Sequence, residues 1–355
     1  MKQRLRQLLE KLAPRPFWEN ARFEWKMFRL RLRWRSQRAQ NALVNLGAGG
    51  AGKDGFYQAS TRMMSNILRT LVQRWPFSRG RTRLVLLLQP WLLRRDETVA
   101  PVGRLLFPFQ PYHWNFYFGV YEPETVELVE ALLGTGDTFL DVGSNVGYFS
   151  AIAANAVGGE GRVVALEPEP AHFSRLSRLA ALNPEFKMDL LQAAMSDQCG
   201  RMSFYVCEHP GWHSLICSFP QAPIKESLEV DVWSMDELLK CRGLDRPGAV
   251  SLAKIDVEGA EHLVFQGGRQ AVSQHWIRAF YVEVTPSRDS GLIFAMLHEA
   301  GYRPFRRASA DRCWRPCPVD VELPAQENVL WLPADAGLDS LSKAGLLTSS
   351  DPNPL

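Results

Sequence analysis

The chain has 355 residues, 46% hydrophobic, 22% charged and 11% aromatic, with a formal net charge of +3. This composition excludes a disordered, collagenous or disulfide-scaffold protein and leaves ample apolar residue for one large α/β domain with extensions, or for two domains. No run of about 18 apolar residues offers a spanning helix, and Met1 to Leu12 lacks the apolar segment and cleavage site of a secretory leader, so a cytoplasmic location with reduced cysteines is expected.

The first predicted element is a basic arm. Residues 1–38 hold 12 Lys/Arg against 3 Glu, a net of +9, which leaves the remainder at −6. Trp18, Trp25, Phe28 and Leu32, with the adjacent stripe Phe23, Met27, Leu30 and Trp34, recur at helical spacing, and Arg22, Lys26, Arg29 and Arg33 line another side. Such a helix over 1–45 can pack on its own body or lie peripherally on an anionic membrane surface; nucleic acid is a weaker candidate. Gly47 to Lys53 spells a phosphate loop, but Asp54 stands where a magnesium-binding hydroxyl belongs, so 46–112 opens as a linker. Met64, Ile67, Leu68, Leu71 and Val72 then suggest an amphipathic helix, and Trp75 to His113 shows no clear period.

From 113 to 334 strands and helices alternate, which predicts a doubly wound, Rossmann-like parallel sheet. In chain order the elements are helix 123–133, strand 138–142, the turn Gly143 to Gly147, a helix through Val157, strand 162–166, helix 170–182 and strand 188–192. Strands 202–206 and 228–233 flank a variable loop carrying His213. A helix 234–239, strand 250–256, helix 259–266, strand 277–284, helix 292–300 and a late pair at 302–306 and 328–332 complete the body, and 335–355 reads as a flexible tail.

Two segments carry chemistry. In Phe139-Leu-Asp141-Val-Gly143-Ser144-Asn145-Val-Gly147, the glycines permit a tight turn and close ligand approach, and Asp141 offers a carboxylate for an amine or ribose hydroxyl. Glu167 follows 26 residues later, at the end of the next strand, where a nucleotide-binding βαβ unit places its ribose-binding acid. The pyrophosphate fingerprint is absent, which favours a nucleoside without phosphate. In Ala253-Lys254-Ile-Asp256-Val-Glu258-Gly-Ala-Glu261, alternation puts Lys254 and Asp256 on one face of a strand expected to be buried, and Asp256 and Glu258 at its ligand-binding end. Glu261 suits a helix N-terminus. No D-x-D array or zinc-type Cys/His pairing occurs, so no metal is expected.

These segments, with Tyr121-Glu122-Pro-Glu, Leu166-Glu-Pro168 and Ala194-Met-Ser-Asp197, resemble the FkbM family of S-adenosylmethionine-dependent methyltransferases from about Tyr117 to Pro333. The resemblance implies a class I methyltransferase fold, a seven-stranded sheet with an antiparallel last strand, and S-adenosyl-L-methionine as cofactor; the expected N-terminal helical extension lies outside it. By it, Asp141, Gly143, Ser144, Asn145 and Gly147 would enclose the methionine part, Glu167 and Pro168 the ribose end, with Glu122 and Asp197 also on the cofactor. Methyl transfer to a hydroxyl is implied, on a sugar, glycolipid or polyketide-like acceptor. Such an acceptor needs a base, and Asp256, Glu258, Lys254 and His213 are the candidates. An RNA or protein methyltransferase using the arm, or a nucleoside-binding module without turnover, are the alternatives. The acceptor and the oligomeric state are not legible in the sequence.

Overall fold

The computed structural model describes residues 97–110, 113–208, 212–216, 223–286, 289–307, 313–319, 325–333, 341–342 and 345–347. The basic arm, the glycine-rich linker and the amphipathic stretch at 64–72 lie outside the described residues.

Where the sequence shows no period, β1 (Thr98–Val102) and β2 (Leu105–Phe109) form an antiparallel hairpin, followed by the short α1 (Trp114–Tyr117). The body begins at α2 (Pro123–Leu132), which starts on a proline whose missing N–H costs nothing at a first turn. There follow β3 (Thr138–Val142), α3 (Tyr148–Val157), β4 (Arg162–Leu166), α4 (Pro170–Leu182) and β5 (Lys187–Leu191). Short β6 (Ala194–Ser196) joins β7 (Gly200–Cys207) and β8 (Ile224–Ser234) in a separate three-stranded sheet, order β6-β8-β7. After α5 (Met235–Cys241) come β9 (Leu252–Ile255), α6 (Glu261–Gln266), α7 (Arg269–Ser273), β10 (Phe280–Val284), α8 (Ser290–Glu299), β11 (Tyr302–Arg307), β12 (Trp314–Pro316) and β13 (Glu327–Pro333).

The main sheet runs β12-β11-β13-β10-β9-β3-β4-β5. Its centre is parallel, and β13 lies antiparallel between β10 and β11. That is the class I methyltransferase order; the expected seven strands become eight because β12 adds to the β11 edge. Central strands are buried on both faces, as in β9, where Leu252, Ala253 and Ile255 are buried with Lys254 among them. The expected strand 277–284 shortens to β10, with Ile277 retained as a lone bridge to Val250. No described helix is long and apolar enough to cross a membrane.

Two asparagines tie the hairpin to the body. Asn155 on α3 accepts from Arg104 N–H at 2.6 Å and donates to Val102 C=O at 2.7 Å. Asn183, at the end of α4, accepts from Leu106 N–H at 2.7 Å and donates to Leu106 C=O at 2.8 Å. Each amide completes strand backbone groups that would otherwise be unmet. Part of the stretch read as a tail also packs: Leu341 and Leu346 are buried, and Trp314 N–H donates to Leu346 C=O at 2.8 Å.

Candidate active site

A cavity of about 430 Å³ opens at the carboxyl ends of β3, β4 and β9, the edge at which open α/β sheets bind ligands. Its floor is the β3–α3 turn. Gly143 has φ +81°, and a Cβ there would land on the Asp256 carbonyl, so only glycine allows β3 and β9 to end side by side. Gly147 has φ +85°, and its missing Cβ leaves room for Leu176 Cδ1, 2.6 Å from where it would sit. Both glycines therefore serve the packing of the turn itself. Ser144 Oγ donates to Leu166 C=O at 3.1 Å, which locks the turn to β4.

Behind the cavity lining, at the end of β3 and beside Lys254 in the strand register, Asp141 is 1% exposed. Ser150 Oγ donates to its Oδ2 at 2.5 Å, while Oδ1 is buried with no hydrogen-bond partner among the described residues. Burial pushes this carboxyl above its ordinary value against the pull of Lys254. A buried acceptor without a donor is costly and is an opening for a ligand N–H or O–H.

Glu167 is equally buried but engaged. Asn145 N–H reaches its Oε2 at 2.8 Å and Glu169 N–H its Oε1 at 2.9 Å, leaving one lone pair on each oxygen for ligand hydroxyls. Burial raises the Glu167 carboxyl to about 8, more than these donors lower it. Pro168 lines the same wall, as do His172 and His213, whose rings stack at 5.4 Å and 21°. Burial lowers His172 to about 4. His213 Nδ1 accepts from Cys207 N–H at 3.1 Å, so this histidine belongs to the Glu167 end.

The other end holds Lys254, Asp256 and Glu258. Lys254 Nζ lies 2.6 Å from Asp256 Oδ2 and 5.1 Å from the centre of the Phe149 ring. Burial would lower this ammonium, but Asp256, Asp141 and Glu122 outweigh it and hold Lys254 above the usual lysine range. Burial would raise Asp256; Lys254 and a hydrogen bond from Glu283 outweigh it and hold Asp256 low. Glu258 goes the other way, raised to about 8 by burial and by Asp256's charge, with Gln326 Nε2 donating to its Oε2 at 3.3 Å. Asn145 (φ 51°), Glu258 (φ 53°) and Glu122 (φ 36°) are three of the four described non-glycine residues in the left-handed region, and strain of this kind clusters at functional sites.

Residues 141–304 match the family model of the methyltransferase FkbM domain. This segment is similar to an FkbM methyltransferase domain. Among solved structures, the chain is similar to methyltransferase FkbM from Methylobacillus flagellatus at 16% identity, over 76% of this chain and 58% of that one, with a TM-score of 0.36. It is also similar to an S-adenosylmethionine-dependent O-methyltransferase from Thermotoga maritima (12% identity, 60% and 66% covered, TM-score 0.32). A third likeness is to Aeropyrum pernix fibrillarin, solved with natively bound S-adenosyl-L-methionine (13% identity, 67% and 84% covered, TM-score 0.36). The chain spans 58% of the length of the Methylobacillus protein. No curated protein gives a significant match. At these identities the fold rests on the strand order above.

The sequence-selected residues divide. Gly143, Ser144, Asn145, Glu167, Pro168, His213, Lys254, Asp256 and Glu258 line the cavity, whereas Gly147 and Asp141 do not, Asp141 lying beside Lys254 in the strand register. Glu122 caps the approach to α2, its Oε2 accepting from Thr125 Oγ1 at 2.9 Å, and senses Lys254 and Asp256 electrostatically. Asp197 is outside the cavity lining, and its Oδ1 accepts from its neighbour Ser196. Glu261 begins α6 and accepts Gly259 N–H at 2.9 Å, an N-terminal capping role.

Sequence reasoning missed an aromatic wall. Phe116 and Tyr148 stack at 4.6 Å and 12°, and Tyr121 and Phe149 close beside them. It also missed Glu283 on β10, which could have been found by the same sign that singled out Lys254, a charge inside the otherwise apolar strand Phe280-Tyr-Val-Glu-Val284.

Proposed function

We propose that this domain is an S-adenosyl-L-methionine-dependent O-methyltransferase acting on a hydroxyl of a neutral, ring-bearing acceptor such as a sugar, a glycolipid or a polyketide-like product. The observation that carries the cofactor reading is the orphaned Asp141 Oδ1, buried at the end of β3 beside the Gly143–Gly147 turn. It fits an ammonium group, and the free lone pairs of Glu167 fit two ribose hydroxyls one strand away, while Gly143 to Val146 would pass beneath the methionine part. When bound, the cofactor supplies a methyl group already activated on a sulfonium. The chain's own residues then have three tasks.

They must exclude water, hold the acceptor oxygen in line, and accept its proton. The rings of Phe116, Tyr121, Tyr148 and Phe149 give the cavity an apolar wall on which the flat apolar face of a sugar or polyketide ring can rest. Asp256, held ionised by Lys254, is a weak base and a good anchor for a hydroxyl. Glu258 is the better base. Its carboxyl, raised to about 8, has a proton affinity matched to neutral pH, and the acceptor's hydroxyl proton passes to its carboxylate as charge develops on oxygen. His213 sits at the Glu167 end and is not needed for this step.

Charge argues against the polyanion alternative. Among the described residues, the cavity lining carries Glu167, Asp256 and Glu258 with Lys254 as the only Lys or Arg, an unfavourable lining for RNA phosphates. We place the enzyme in the cytoplasm, with residues 1–38 tethering it to an anionic membrane if the acceptor is lipid-linked.

Calorimetric titration of the full chain tests the reading. Saturable binding of S-adenosylmethionine and not of NAD, lost in Asp141→Ala, is expected, followed by methyl transfer in a screen of glycans and lipid-linked sugars. Binding that survives Asp141→Ala, or binding of NAD alone, would overturn it.

A further inference from the structure

Three carboxylates meet at the acceptor end of the cavity, and among the described residues one cation, Lys254, stands against them. Asp256 and Glu258 follow β9, Glu283 stands on β10, and an oxygen from each lies within 4.8 Å of an oxygen of the other two. The strands pair in parallel with Val282 opposite Ile255, so the next step in register brings Glu283 beside Asp256. Lys254 is committed to Asp256 at 2.6 Å.

Among the described residues, the remaining groups that face the cluster add no positive charge. Tyr121 and Glu122 come from the segment ahead of α2, Asp141 from β3 and Glu261 from α6, and Gln326 approaches Glu258 from the segment before β13. An oxygen of Glu283 lies within 4.8 Å of an oxygen of Asp256. Two carboxylates have only lone pairs to offer, so a hydrogen bond between them requires a proton on one. Lys254 decides which. Beside the ammonium Asp256 keeps its charge, and burial together with that charge pushes Glu283 up to about 10. Glu283 is absent from the cavity lining and meets the cluster through Asp256 and Glu258.

Resting on the methyltransferase reading above, we propose that Glu283 is a positioning residue: it stays protonated, donates its hydroxyl to Asp256, and by fixing the Lys254–Asp256 pair leaves Glu258 as the group that takes the acceptor's proton. Asp256, with donors on it from both Lys254 and Glu283, has little remaining affinity for a proton. Without the Glu283 hydroxyl it would compete with Glu258 for the substrate's.

The test joins a spectrum to a rescue. Infrared difference spectra of the full chain at pH 9, wild type minus Glu283→Gln, are expected to contain a protonated-carboxyl C=O band that shifts in D2O. In turnover with S-adenosylmethionine and an acceptor from the screen, Glu283→Ala should lower kcat roughly tenfold to a hundredfold, the value of a lost hydrogen bond to a charged group. Glu283→Gln, which keeps a donor towards Asp256, should recover most of that loss and should lack the fall in kcat that wild type shows as pH rises through about 10. Superimposable spectra would overturn the proposal. So would a Glu283→Gln enzyme as inactive as Glu283→Ala, or loss of the band on adding Mg²⁺ to wild type with a gain in turnover, which would make the cluster a cation site. The spectrum needs neither cofactor nor acceptor, so failure to bind S-adenosylmethionine would sink the functional reading while the band still decided the proton.

Discussion

Replacing Gly143 by alanine isolates what the close approach of two strand ends contributes. The residue has φ +81°, which costs a β-carbon about 1–2 kcal/mol. The new Cβ would also overlap the Asp256 carbonyl oxygen, a backbone atom that cannot rotate away, because Asp256 N–H donates to Val142 C=O at 3.0 Å. Overpacking of this kind costs about 1–3 kcal/mol more, so Gly143→Ala should lose about 2–5 kcal/mol. Gly136 is the control. It has φ +89° and nothing within 4 Å of its missing Cβ, so Gly136→Ala should lose only the conformational part, about 1–2 kcal/mol. Urea titrations of the three proteins, read at equal m-values, give the difference directly. If the two variants lost the same stability, the contact with Asp256 would carry no energy and the account of this turn would be wrong. The surviving folded Gly143→Ala protein should also turn over more slowly, since the displaced carbonyl belongs to the residue that holds Lys254.

Glu258→Gln should lower kcat by about a hundredfold to ten-thousandfold with little change in the dissociation constant for S-adenosylmethionine; equal loss of both would make Glu258 a binding group instead. In wild type, kcat should rise with pH to a plateau whose midpoint lies below about 8, because a bound cation favours the ionised carboxylate, and a flat profile would count against a carboxylate base. Stability should run the opposite way. Glu167 and Glu258 are raised from 4.5 to about 8 and Glu283 to about 10, so the folded chain keeps protons that the unfolded chain releases. Their contribution is complete below about pH 4.5 and is lost as pH climbs through 8 and then 10, so Tm without ligand should fall across that window, and less steeply in Glu283→Gln. Deleting residues 1–38 should lower binding to vesicles containing anionic lipid without altering cofactor affinity; unchanged vesicle binding would remove the tether.

The parts of this fold legible in the sequence are those whose cause is local. The β3–α3–β4 unit declares itself through a short apolar run, two glycines at a turn, and an acid at the end of the next strand. Lys254 stands out because charge in a central strand contradicts its surroundings. The hairpin over 98–109 was illegible for the converse reason: its backbone is satisfied by Asn155 and Asn183, 51 and 77 residues away from the strands they hold. Glu283 joins the site through lateral pairing of β10 on β9, which spacing along one strand cannot reveal. His213 stands out in the sequence for its chemistry, and its stacking on His172 and its bond to Cys207 N–H assign it to the far end of the cavity.

His113, Asn115 and Phe116, which follow the hairpin, contribute to the cavity wall yet precede the segment 141–304 that defines the family, and β13 follows that segment. A fragment trimmed to the family boundaries would keep the cofactor turn and the Lys254–Asp256 pair while losing one wall of the room in which they operate. Asn155 and Asn183 fasten the hairpin that leads into this wall, and Phe107 and Phe109 are buried with it. On the proposed reading, chimeras joined near residue 121 are expected to alter acceptor selectivity while leaving the Gly143–Gly147 turn unchanged.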